Sequence, residues 1–121
     1  WSAKDAKQIK SATGVRDVKW KNWTSILGWP VQGIWPSGAD FSDVNSCDRS
    51  PNQRLLATAD DNHRIKLFEY PVPKEASKCK EYKGHSEHVP TVRFSADGNY
   101  VFSVGGLDKA VIQFEVKHSK K

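Results

Sequence analysis

From residue 43 onward, short apolar runs alternate with turn residues at a steady spacing. Arg54-Leu-Leu-Ala-Thr-Ala59, Arg64-Ile-Lys-Leu-Phe-Glu-Tyr70, Thr91-Val-Arg-Phe94, Tyr100-Val-Phe-Ser-Val104 and Ala110-Val-Ile-Gln-Phe-Glu-Val116 are rich in β-branched and aromatic residues. Several alternate apolar and polar positions with the period of a half-buried strand. Ser50-Pro-Asn-Gln53, Asp60-Asp-Asn-His63, Ser95-Ala-Asp-Gly98 and Gly105-Gly-Leu-Asp108 separate them as turns. No window carries apolar residues at helical spacing. The pattern predicts an all-β, antiparallel chain.

The first 42 residues have a different texture. Lys7-Gln-Ile-Lys10 and Val15-Arg-Asp-Val-Lys-Trp20 read as outer strands, and Thr24-Ser-Ile-Leu27 leads into Gly28-Trp-Pro-Val-Gln-Gly-Ile-Trp-Pro36, an aromatic loop broken by Gly and Pro. All five tryptophans (Trp1, Trp20, Trp23, Trp29, Trp35) lie within residues 1–35. Exposed tryptophans anchor interfaces; the simpler expectation is that they pack over the strands as a satellite core.

The strands repeat. Asp43–Tyr70 superimposes on Val89–Val116, with Leu55-Leu-Ala-Thr-Ala59 over Tyr100-Val-Phe-Ser-Val104 and Phe68 over Phe114, an offset of 46 residues. That period, the strand lengths and the Gly84-His85 pair resemble a WD40 propeller blade. Phe68-Glu69 and Phe114-Glu115 then stand in the Trp-Asp position. In such blades a turn Asp and the Gly-His histidine are tied to a strand hydroxyl and the Trp indole. The second unit offers His85, Ser103, Asp108 and Phe114, with Ser103 one place from the usual hydroxyl position and Phe114 lacking an N–H. The first offers Thr58, Asn62 and Phe68, with Asn62 in the Asp position. These are expected to be degenerate blades. The division is 1–36, end of a preceding blade and Trp-rich connector; 37–83, a degenerate blade; 84–116, a final blade without its outer strand; and 117–121, a basic tail.

Composition narrows the function classes. A chain of 121 residues with 37% hydrophobic content and a mean hydropathy of -0.67 builds a thin core. With no Met and Trp1 at its start, it reads as a piece of something longer, about two blades plus outer strands, that needs the rest of its propeller. Its longest uncharged stretch, Trp23–Ala39, is interrupted by Pro30, Pro36 and glycines, so no membrane span is expected and a cytoplasmic location is. The net charge of +5 is uneven: +4 over residues 1–21, −1 over 22–112 and +2 over 113–121. Such an excess attracts acidic partners, and Lys19, Lys21, Lys117, Lys120 and Lys121 are the candidate partner-binding residues. Nucleic acid is not expected, because no recognised motif accompanies the charge.

Catalysis and metal binding find little support. Cys47 and Cys79 are isolated thiols, expected to be reduced and packed as small hydrophobes. His85-Ser-Glu-His88 has no third ligand at metal-binding spacing. No nucleophile elbow, metalloprotease helix or phosphate loop occurs, so no enzyme, cofactor or metal is expected.

One resemblance covers most of the chain. Asp17-Val-Lys-Trp20, Thr24–Gly28, Val31-Gln-Gly-Ile-Trp-Pro36, Asp43-Val-Asn45, Ala57-Thr-Ala-Asp-Asp61, Lys66-Leu-Phe-Glu-Tyr-Pro71, Gly84-His-Ser86, His88-Val89, Ser103–Asp108 and Gln113-Phe114 occur in order. Together they resemble the closing blades of the echinoderm microtubule-associated-protein-like family over roughly residues 15–116. Two departures are Phe114, often Trp there, and His63, often Gly. The resemblance implies a non-enzymatic scaffold, part of a tandem propeller that binds tubulin or microtubules, located on the cytoskeleton, the ciliary axoneme being one such site. The alternative is a generic WD40 adaptor for another protein, of the ciliary or ubiquitin-ligase type.

Overall fold

The structure, a computed structural model, describes residues 1–38, 43–75 and 77–118. The alternating segments form seven strands in two antiparallel sheets. The first sheet has the order β1 (Val44–Arg49), β2 (Leu55–Asp60), β3 (Ile65–Glu69), β4 (Lys80–Tyr82). The second has β5 (Thr91–Phe94), β6 (Tyr100–Val104) and β7 (Val111–Glu115). Each runs as a meander through the predicted turns, which is what short connections between consecutive strands dictate. A bulge between Val44 and Ser46 shifts the register of β1 on β2, and there the Asn45 amide donates to the Val89 carbonyl at 3.1 Å and to Asp61 Oδ1 at 2.8 Å.

Alternation along β2 and β3 gives the first sheet two buried faces. One face holds Val44, Cys47, Leu56 and Phe68, closed over by Val31, Ile34, Trp35 and Val72 with Trp23 and Ile26 alongside. The other holds Ala57, Ala59 and Ile65, packed against Val89, Val92 and Val101 of the second sheet. The small alanines let the sheets approach closely.

Polar side chains of β1 clamp this seam. Asp48 Oδ2 accepts from the Phe94 N–H at 2.7 Å and Ser46 Oγ from the Val92 N–H at 3.3 Å. These are β5 donors that no neighbouring strand pairs, and a buried unpaired donor is costly. Burial pushes the Asp48 carboxyl above its ordinary range, against the opposing pull of the Phe94 N–H and Arg93.

The second sheet is covered on one side only. Tyr100, Phe102 and Val104 of β6 and Val111, Gln113 and Glu115 of β7 point away from the seam and are exposed, Val111 at 70%. They occupy the positions that Leu55, Ala57, Ala59, Ile65, Leu67 and Glu69 hold in the first sheet, of which Ala57, Ala59, Ile65 and Leu67 pack against the second sheet.

Three local expectations need correction. Lys7–Lys10 and Val15–Trp20 form no strands: Thr13–Val15 is a single 3-10 turn, and the flanking residues are mostly exposed. A strand needs an edge to pair with, and the outer edge of the first sheet is already occupied by β4. That strand was not anticipated, because all three of its residues are exposed and carry no alternation. The broken aromatic loop is ordered as a 3-10 segment, Trp29–Ile34, with Pro30 in its first turn.

Candidate functional site

The turns and inner strands converge on one buried polar cluster. His85 lies between β4 and β5, Ser103 on β6 and Asp108 in the β6–β7 turn. His85 Nδ1 is 2.9 Å from Asp108 Oδ2, and His85 Nε2 is 2.7 Å from Ser103 Oγ. Hydrogen bonds from the Ala110 N–H, and then from His85 and the Ser86 N–H, hold the Asp108 carboxyl below the usual carboxylate range. An ionised carboxylate only accepts, so Nδ1–H donates to it and Nε2 accepts the Ser103 hydroxyl proton. The order Ser–His–Asp matches a nucleophile triad, yet Ser103 is 0% exposed and the His85 side chain 1%. No carbonyl carbon can approach Oγ. What the cluster does is tie the β4–β5 connection to β6 and to the following turn.

Phe114 does not reach this chain of bonds. It is half-buried in the core between the sheets, with the Tyr82 ring 6.1 Å away. The Gly84-His85 pair has its own steric basis: a Cβ on Gly84 would stand 2.8 Å from Ile112 Cδ1.

The first sheet solves the same turn with another residue. Asn62 was expected in the Asp position, but its side chain makes no hydrogen bond among the described residues. The carboxylate comes from Asp60, whose Oδ1 accepts the Asn62 and Arg64 N–H groups at 2.9 and 3.0 Å. The reason is turn length: residues 60–64 connect Ala59 to Ile65, whereas 105–110 connect Val104 to Val111, one residue more. Asp60 aligns with Gly105, where a Cβ would overlap the Asp108 carboxylate. One carboxylate fills one space in both turns, delivered from different backbone positions. Asp60 Oδ2 is buried without a hydrogen bond, and Lys66 Nζ is 3.8 Å from it. Lys66 Nζ is also 4.0 Å from Glu81, which pairs with Arg64. Thr58 lies fully buried opposite Lys66 in the ladder, and Phe68 is buried in the first core.

Of the candidate cations, Lys19 and Lys21 are exposed, and Lys117 is exposed 4.0 Å from Glu115 Oε2. Lys120 and Lys121 lie outside the described residues. Charge counting overlooked Arg49, which is only 9% exposed at the end of β1. Its Nη2 donates to the Trp20 carbonyl at 2.6 Å and its Nη1 to the Tyr70 hydroxyl at 3.4 Å, with the guanidinium 5.2 Å from the Tyr70 ring centre. The Arg49 N–H donates to the Trp23 carbonyl, and Cys47 Sγ to that of Ser25. These bonds fasten residues 20–25 along β1. Burial, the largest cause, pushes the Cys47 thiol up to about 12, keeping it protonated and inert. Among the described residues, no group of His, Cys, Asp and Glu is arranged to hold a metal ion.

Two propeller-like sheets with a His–Ser–Asp tie define a fold, and comparison with known proteins gives it a lineage. The family described as Echinoderm microtubule-associated protein second beta-propeller matches residues 1–116. The chain belongs to that family. It is 45% identical over 116 residues to the 77 kDa echinoderm microtubule-associated protein of Lytechinus variegatus, covering 96% of this chain and 18% of that protein. It is 44% identical over 116 residues to echinoderm microtubule-associated protein-like 2 of Rattus norvegicus, again 96% and 18%. With echinoderm microtubule-associated protein-like 3 of Homo sapiens it shares 41% over 110 residues, 91% of this chain and 12% of that one. The chain thus spans under a fifth of the length of these relatives. The fold is all-β and of the propeller type, and the match reaches further toward the N-terminus than the motifs alone.

Proposed function

We propose that this chain is part of a non-enzymatic scaffold: a propeller segment of a microtubule-associated protein whose partner is tubulin or the microtubule, and whose location is the cytoskeleton. The observation that carries the reading is the family match across residues 1–116, with relatives named as microtubule-associated proteins. The buried Ser103–His85–Asp108 tie supports a structural rather than a catalytic use of those residues. The cations Lys19, Lys21, Lys117, Lys120 and Lys121 supply electrostatic attraction to tubulin's acidic surface. Among the described residues, no helix is long and apolar enough to cross a membrane.

The test is co-sedimentation of the full-length protein with taxol-stabilised microtubules over a range of salt. The wild type should pellet, and changing the five lysines to Glu should weaken binding and flatten its salt dependence, because screened surface charges act through encounter and orientation. A wild-type protein that stays in the supernatant at every salt concentration overturns the proposal.

A further inference from the structure

Arg49 is nearly buried at the end of β1, yet among the described residues no carboxylate pairs with it. Neither it nor Lys19, Lys21 or Arg54 stands within ion-pair distance of an acidic group among the described residues. Its sequence neighbour Asp48 turns its carboxylate toward the Phe94 N–H, and Glu69, beside Tyr70, makes no ion pair among the described residues. A guanidinium has five N–H donors. Two are used, on the Trp20 carbonyl and the Tyr70 hydroxyl. Nε–H has no partner among the described residues, and each terminal nitrogen keeps a second hydrogen. That leaves three donor hydrogens for a further acceptor such as a carboxylate.

The surroundings fit an anionic chain rather than a single ion. Trp20 is 45% exposed, and its ring stands edge-on to that of Trp23, 6.4 Å between centres. Lys19 and Lys21 flank it and are exposed, and exposed Arg54 presents its carbonyl to the Tyr70 N–H at 2.8 Å. Tyr70 and the Trp20 carbonyl hold the guanidinium still, so little side-chain freedom remains to be lost on binding.

We infer that Arg49, Trp20, Lys19, Lys21 and Arg54 form a docking surface for an acidic, extended peptide segment, one carboxylate seated on Arg49 and the neighbouring ones on the lysines. The choice of a polypeptide partner rests on the tubulin reading above; the patch itself does not.

The experiment titrates the full-length protein with an octaglutamate peptide, following tryptophan fluorescence, with octaglutamine and an oligothymidylate as comparisons. Wild type should bind octaglutamate in a salt-sensitive way and ignore octaglutamine. Arg49→Lys keeps the charge and loses the fork, and should weaken binding about tenfold. Trp20→Ala keeps the carbonyl that holds Arg49, so it removes the aromatic platform without unpinning the guanidinium, and should weaken binding by a smaller factor. Thermal melts matching wild type establish that each variant folds. Unchanged affinity in both folded variants, or no binding by wild type, overturns the inference. Equal affinity for the oligothymidylate assigns the patch to phosphate and overturns it too. Loss of octaglutamate binding in variants whose wild type does not pellet with microtubules would leave the patch standing and remove the tubulin reading.

Discussion

His63 sits in the β2–β3 turn with φ of +66°, a left-handed conformation that costs an L-residue about 1–2 kcal/mol. Glycine avoids that cost but gives up about 0.4–1 kcal/mol through its freer unfolded state. His63→Gly should therefore stabilise the fold by about 0.5 kcal/mol in chemical denaturation. Asn62→Gly, one position earlier and without the positive φ, should destabilise it. Equal effects at the two positions would mean that the turn relaxes on substitution. The aligned turn in the second sheet places the same demand on Lys109, whose φ is +53°. A turn conformation therefore recurs although the residues that fill it do not.

At the scale of strands, Asp48 is one of the β1 side chains that clamp the seam between the sheets. Asp48→Ala strands the Phe94 N–H in the interface and should cost about 1–3 kcal/mol. Asp48→Asn keeps an acceptor and should cost much less. The pH dependence separates charge from hydrogen bonding. Burial raises the Asp48 carboxyl, so the folded state prefers it protonated; its contribution is complete below 3.8 and is lost as pH rises through the folded value. The amide cannot ionise, so Asp48→Asn should gain on wild type between acid and neutral pH in thermal melts. A constant difference across that range would count against the buried-charge account.

Much of this level was legible in the chain itself. Five strands announced themselves as β-branched and aromatic runs between turn residues; β6 and β7 alternate, whereas β2 buries both of its faces. Strand β4 did not, because its three exposed residues are placed by backbone pairing with β3, which leaves no trace in hydrophobic pattern. Lys7–Lys10 and Val15–Trp20 looked like strands by local propensity, but propensity does not supply an edge to pair with. At the tie, the Gly84-His85 pair and the turn position of Asp108 are readable in the sequence, and the His85 and Asp108 side chains are hydrogen-bonded to each other. Asp60 was hidden by the missing turn residue, and Arg49 by its location inside a block of near-neutral charge.

For the whole molecule, the two ends of the stack differ. The outer face of the first sheet is closed by Val31, Ile34 and Trp35, whereas Tyr100, Phe102, Val104 and Val111 leave the second sheet's outer face bare. Apolar patches of this kind drive association. The isolated 121-residue chain should associate in a concentration-dependent way in analytical ultracentrifugation, and Phe102→Lys with Val111→Lys should return it to monomer without lowering its melting temperature. A wild-type chain that sediments as a monomer at every concentration would show the bare face to be inert. The symmetry of that association follows from the closed end. Head-to-tail addition needs two complementary faces, and here one is already occupied by the chain's own tryptophan-rich segment. Copies that meet bare face to bare face do so isologously, about a two-fold axis, and such contacts close on themselves. Assembly of that kind ends at a pair and does not extend into a fibre.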